Sequence, residues 1–172
     1  MQNAPISPEP PATNRPAWID EVAELYRAVD REIDPHQHLC KLSGVCCDFR
    51  KSDHVLYTTS VEVGYALATR TAPWTTQDDL CPFWRGGLCT ARAERPLGCR
   101  TYFCDPTWRE RGEEIHERFH AQLIAIGERH GVRYSYSPWV ASMAAAAASR
   151  SVAGGAPVDG SSLAVRTRRP TD

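Results

Sequence analysis

The chain has 172 residues, 20 basic against 21 acidic side chains, and a formal net charge of −1. That balance excludes the basic footprint of a nucleic-acid-binding domain. No run of about 18 apolar residues occurs, which excludes a helical membrane span, and the length fits one domain with loose ends.

In chain order, Pro5 to Pro16 hold five of the 13 prolines and little that can pack, so residues 1–16 are expected to be disordered. Trp18, Val22, Leu25, Tyr26, Val29 and Ile33 recur at helical spacing. They predict a helix from about Ala17 to Glu32, stopped by Pro35. His36 to Phe49 has no clean period and reads as a loop around ligands. His54 to Thr58 is a strand candidate. Thr59 and Glu62 have capping-box spacing and predict a helix over Ser60 to Thr69. From Asp78 to Cys104, Pro82, Gly86-Gly87, Pro96 and Gly98 break regular structure. Asp105-Pro106 opens a longer helix that runs to about His130, with Ile115, Phe119, Gln122, Leu123 and Ile126 facing inward and Gly131 at its end. Val132 to Tyr136 is a second strand candidate. The tail over 141–172 combines an alanine run, Gly154-Gly155 and the Arg166, Arg168, Arg169 cluster, and reads as flexible or weakly helical. The expected fold is mainly α with short strands, a small, irregular, cysteine-rich metal-binding domain over 17–140.

The informative feature is the distribution of cysteine. All seven cysteines, Cys40, Cys46, Cys47, Cys81, Cys89, Cys99 and Cys104, fall in one central segment. No positive-then-apolar leader opens the sequence, so a cytoplasmic location is expected. Thiols stay reduced there, and the odd count also disfavours a disulfide framework. Clustered thiols in a reducing compartment point to shared metal ligation. The spacings are Cys40-x5-Cys46-Cys47, Cys81-x7-Cys89 and Cys99-x4-Cys104. Zinc knuckles favour C-x2-4-C, which only the last pair meets. An iron–sulfur core takes four thiolates at wider spacings and is tuned by backbone N–H groups. Gly44, Gly86, Gly87 and Gly98 allow that close backbone approach. Three thiols then remain for a second metal, a substrate or packing.

Arg92, Arg95 and Arg100 interleave the second cysteine group. As positive charges they would lower thiolate pKa values and offset a thiolate-rich site, which makes Arg95 and Arg100 candidates to support a cofactor. The weaker candidates are histidines. His36 and His38 flank Cys40 and could complete a mixed site. Cys46 or Cys47 beside His54 imitates a Cys–His pair, without a third orienting group. Glu113-x-x-His116 and Glu117-x-x-His120 have a di-iron-type spacing, but nothing in the sequence supplies matching carboxylates from other helices.

Cys40-Lys-Leu-Ser-Gly-Val-Cys-Cys47, Cys81-Pro-Phe, Cys89 and Arg95-Pro-Leu-Gly-Cys-Arg100 together resemble the YkgJ-type cysteine-cluster family, a zinc- or iron-chelating domain whose first motif reads C-x-x-C-x-x-C-C. The resemblance covers about residues 38 to 105. It implies metal or iron–sulfur binding through the matching Cys40, Cys46, Cys47, Cys81, Cys89, Cys99 and Cys104. Ser43 departs from the pattern, standing where the second cysteine of the motif would be. The leading expectation is an iron–sulfur or iron-binding protein in electron transfer, redox sensing or metal handling, with a protein or redox partner the sequence does not identify. The alternatives are a structural zinc interaction module and a metal-dependent enzyme. No membrane or nucleic-acid partner is expected.

Overall fold

A computed structural model of the protein describes residues 15–41, 43–52, 54–70, 74 and 80–152. The proline-rich segment expected to be disordered and the Arg166, Arg168, Arg169 cluster lie outside the described residues, apart from Arg15 and Pro16. The fold is mainly helical with two small antiparallel strand pairs, as the sequence predicts.

Helix α1 (Ala17–Ile33) buries the whole predicted stripe, and Ile19 with it. The α-helix ends at Ile33, just before Pro35, as expected. Pro35 sits in the first turn of a short 3-10 segment, Asp34–Leu39, where its missing N–H leaves no helical bond unmade. After the short helix α2 (Phe49–Ser52), strand β1 (Tyr57–Thr59) leads into helix α3 (Ser60–Thr69). The capping box forms in both directions. Thr59 Oγ1 accepts the Glu62 N–H, and Glu62 Oε2 accepts the Thr59 N–H at 2.7 Å.

The region between Asp78 and Cys104 is more ordered than its turn residues suggest. Strands β2 (Trp84–Arg85) and β3 (Leu88–Cys89) form a hairpin across Gly86-Gly87. Both glycines have positive φ, 55° and 88°, as a two-residue hairpin turn demands. Helix α4 (Leu97–Thr101) follows Pro96. Its first N–H, that of Leu97, donates to Glu62 Oε1 at 2.8 Å, which ties α4 to the start of α3.

Asp105 caps the next turn by accepting the Thr107 N–H, and helix α5 (Arg109–Arg129) runs from there. Ile115, Phe119, Leu123 and Ile126 are buried as predicted. Gln122 is exposed, because Leu123 takes the position one turn beyond Phe119 that faces α1. Strand β4 (Tyr136–Pro138) pairs with β1 in the register Tyr57↔Pro138, Thr58↔Ser137, Thr59↔Tyr136. Both strands lie C-terminal to the expected spans, because pairing partners, not β-propensity, set where a short strand begins. Helix α6 (Trp139–Val152) takes in the alanine run of the tail expected to be flexible or weakly helical, and the tail past Val152 lies outside the described residues. The alanines of α6 are strong helix formers, and Trp139, Met143 and Ala146 bury one face of it.

Two apolar clusters result. One joins α1, α3, α4 and α5 through residues such as Val22, Val29, Val61, Leu97, Ile115 and Leu123. The other gathers Phe83, Val63, Trp139 and Met143 around Cys47 and Cys81, with Cys46 and Cys89 at its edge.

Candidate metal centre

Backbone bonds stitch the cysteine loops together. Gly44, at φ 68°, packs so tightly that a Cβ there would overlap the carbonyl oxygen of Gly87, so the first cysteine loop lies directly on the hairpin that carries Cys89. The turn Val45–Cys47 follows. The carbonyl of Cys47 accepts the Cys81 N–H at 2.9 Å, and Asp48 bridges Leu80. The Trp84 N–H donates to the Cys81 carbonyl at 2.9 Å, while Trp84 pairs with Cys89 across the hairpin. Two segments distant in sequence, the turn at Cys47 and the stretch from Cys81 to the hairpin, thus bring Cys47, Cys81 and Cys89 to one place.

All seven cysteines are free thiols, and all seven line a single cavity of about 720 Å³. The Cys47 thiol is at the middle of the set, within hydrogen-bonding reach of the sulfurs of Cys46, Cys81 and Cys89, to one of which its single proton donates at a time. It retains its proton, its pKa driven up by these three neighbours and by burial. The three respond oppositely. Hydrogen bonding from Cys47 pulls Cys46 down to about 7 and Cys89 down to about 6, and lowers Cys81. Backbone N–H groups add to this: that of Phe83 donates to the Cys81 sulfur and that of Ala91 to the Cys89 sulfur, each two residues further along the chain. The predicted glycines shape the turns, but the donors are these non-glycine amides. The Trp139 indole N–H has no other partner among the described residues and faces the Cys81 sulfur, which it also helps to hold as a thiolate. Cys99, on α4, is held protonated by desolvation and by the charge of Cys81, Cys89 and Cys46. Cys104 is exposed at the rim, near Cys46 and Cys40.

The two candidate arginines separate. Arg95 lines the cavity, and its charge lowers both Cys46 and Cys89. Arg100 does not line it. Its guanidinium is 2% exposed, pairs with Asp30 at 2.6 Å, donates to the carbonyls of Arg95 and Ala93, and lies over the Tyr26 ring at 4.1 Å. Arg100 is a structural clamp between α1 and α4, and the expectation that it supports a cofactor is not met by its position.

The histidine candidates separate too. His36 packs at a tilt against Trp108 and His38 contacts the Pro35 carbonyl at 3.2 Å, and neither lines the cavity. His54 lines it but is held between Phe49 and Tyr102, with no bond to Cys46 or Cys47 among the described residues. His116 faces the cavity and His120 does not, although the two rings lie 5.6 Å apart. Ser43 is exposed, and its hydroxyl oxygen accepts the Val45 N–H at 3.5 Å, so it shapes the turn where the resemblance expects a ligand. Sequence reasoning missed the aromatic wall of the cavity, including Tyr57, Tyr102, Tyr136 and Trp139. Their positions in the chain carry no local sign of it.

The charged lining residues are Lys41, Arg92, Arg95 and Arg109 against Asp105 and Glu113, a wall with an excess of two positive charges. A four-thiolate zinc site carries a charge of −2, so the wall has the sign and size to offset it. Among the described residues, no three Cys, His, Asp or Glu side chains are already arranged to hold a metal ion. No helix among the described residues is long and apolar enough to cross a membrane. Comparison with family models, with curated proteins and with solved structures finds no match.

Proposed function

We propose that this chain holds a metal centre through its clustered cysteine thiolates, with an iron–sulfur cluster or iron as the first choice, and works in electron transfer, redox sensing or metal handling. The observation that carries the reading is the convergence of seven thiols on one cavity, with Cys47 in contact with three of the others. Their chemistry fits. Cys46, Cys81 and Cys89 are shifted toward the thiolate, the form that binds metal. The amide donors at Phe83 and Ala91 are of the kind that tunes sulfur ligands. The resemblance to the YkgJ-type family rests on the motif residues alone and supports iron or zinc equally.

Cys46, Cys47, Cys81 and Cys89 would hold the centre, with Cys99, which feels the charge of three of them, as a further candidate. An iron–sulfur cluster bound there supplies one-electron chemistry. The chain's own contribution is to keep sulfurs deprotonated, to offset their charge with Arg95 and Arg92, and to limit water with Phe83 and Trp139. A structural zinc site is the second reading. It is favoured by the way Cys47 and Cys81 sit inside an apolar cluster, where a metal would complete a small core.

Anaerobic purification followed by elemental analysis and a visible spectrum tests the proposal. Brown protein with iron and acid-labile sulfide supports the first reading, and colourless protein with one zinc per chain supports the second. Cys46→Ser with Cys47→Ser should strip the metal and lower the melting temperature. Unchanged metal content and melting in that double variant would refute both.

A further inference from the structure

We propose that the part of the cavity beyond the sulfurs binds a small, uncharged aromatic molecule bearing a hydrogen-bonding oxygen, of the phenol class, with His116 as its polar anchor. This goes beyond metal binding and rests on different walls of the cavity.

The first observation is size. The whole cavity, sulfur end included, measures about 720 Å³, in the range of organic-ligand pockets and larger than a metal centre fills. The second is the rim. Exposed large apolar side chains usually scatter singly over a protein surface. Of the seven among the described residues, five line this cavity: Val55, Tyr57, Leu88, Tyr102 and Tyr136. They are contributed by β1 and the residue two before it, the hairpin, the end of α4 and β4, so no single element's packing needs explain them. The third is His116, on the α5 wall. Its one protein hydrogen bond is a long one, Nδ1 to Thr101 Oγ1 at 3.4 Å, and its other ring nitrogen has no partner among the described residues. A half-buried imidazole in an aromatic pocket with a free nitrogen is a hydrogen-bonding group in want of a ligand. Burial also lowers its pKa, so it is the neutral ring that is presented.

Charge sets the ligand class. The thiolates already offset the wall's excess positive charge, so an anion gains little and still meets the sulfurs, and a cation gains little and still meets Arg92 and Arg95. A neutral ring avoids both and packs on the tyrosines, while its oxygen reaches the imidazole.

Titration calorimetry of the full-length protein, purified anaerobically, tests this with 2-naphthol against its charged relatives 2-naphthoate and 2-naphthylmethylammonium. The expected result is saturable binding of one 2-naphthol per chain, about tenfold tighter than either charged compound. His116→Phe should weaken 2-naphthol binding about fivefold or more, the loss of a single hydrogen bond, without changing metal content. Tyr102→Ala, at an exposed rim position, should weaken all three ligands. Absence of saturable 2-naphthol binding, equal affinity for the three compounds, or unchanged binding in both variants would overturn the proposal. Loss of metal from His116→Phe would also overturn it, by assigning the imidazole to the metal centre. Metal content is read separately by elemental analysis. Metal-free chain that binds 2-naphthol would therefore sink the metal reading and leave this one standing, and metal-loaded chain that ignores 2-naphthol would do the reverse.

Discussion

Replacing Glu62 with alanine removes one buried carboxylate and three hydrogen bonds together. Oε2 accepts the Thr59 N–H at 2.7 Å and the Thr59 hydroxyl at 2.9 Å, and Oε1 accepts the Leu97 N–H at 2.8 Å. The side chain is 3% exposed, so water does not replace it freely. Bonds to a charged acceptor contribute about 1.5–3 kcal/mol each. Against this stands the cost of burying the charge, which outweighs the donors enough to raise the Glu62 pKa above its ordinary value. The net expected loss is about 2–3 kcal/mol, because two backbone N–H groups and a hydroxyl are left without an acceptor. Urea unfolding followed by circular dichroism reads it. With a slope of roughly 1.5 kcal/mol per molar, the midpoint should fall by between about 1 and 2 M at unchanged slope. The pH dependence has a defined sign. A carboxylate whose folded pKa is raised binds its proton more tightly in the folded state, so its contribution to stability declines as pH rises from the unfolded value of 4.5 through the folded one. Glu62→Gln should abolish that decline. A loss below about 1 kcal/mol in Glu62→Ala, or an unaltered pH profile in Glu62→Gln, would refute the assignment of Glu62 as the tie between α3 and α4.

Gly44→Ala places a Cβ on the Gly87 carbonyl at a left-handed backbone position, and should cost more than about 3 kcal/mol in thermal unfolding. Gly131→Ala, also at positive φ but with open space around it, should cost only about 1 kcal/mol. In metal-stripped protein, iodoacetamide mapping by mass spectrometry should find Cys89 and Cys46 modified first at neutral pH. The Cys89 rate should climb through about pH 6, the Cys46 rate should climb through about pH 7, and both should level off above, while Cys47 and Cys99 lag. Early labelling of Cys47 would contradict the proton arrangement of the cluster. Trp139→Phe removes the N–H that faces Cys81, and alkylation of Cys81 should slow severalfold with helical content retained. An unchanged rate would show that the indole does not act on that sulfur.

Much of the helical frame was legible in the chain, because each helix writes a local period. The Trp18-to-Ile33 stripe, the Thr59 and Glu62 capping box, and the Asp105-Pro106 start of the last long helix all depend on residues within a few positions of one another. The gathering of thiols was legible as composition, since seven cysteines in one segment is a global count. What only the tertiary structure decided was the set of distances between segments. Nothing near Cys47 in sequence announces that its carbonyl meets the Cys81 N–H, or that Gly44 lies against Gly87. Arg95 and Arg100 look alike in the chain. One faces the sulfurs and the other is locked to Asp30, 70 residues away. The same holds for the alanine tail, whose α6 is anchored by Trp139 and Met143 packing beside the cysteines, and for Tyr136, brought to the cavity rim by pairing with β1. Secondary structure follows from short-range backbone sterics and side-chain periodicity. A site is made of contacts between distant segments, whose formation depends on how the whole chain packs.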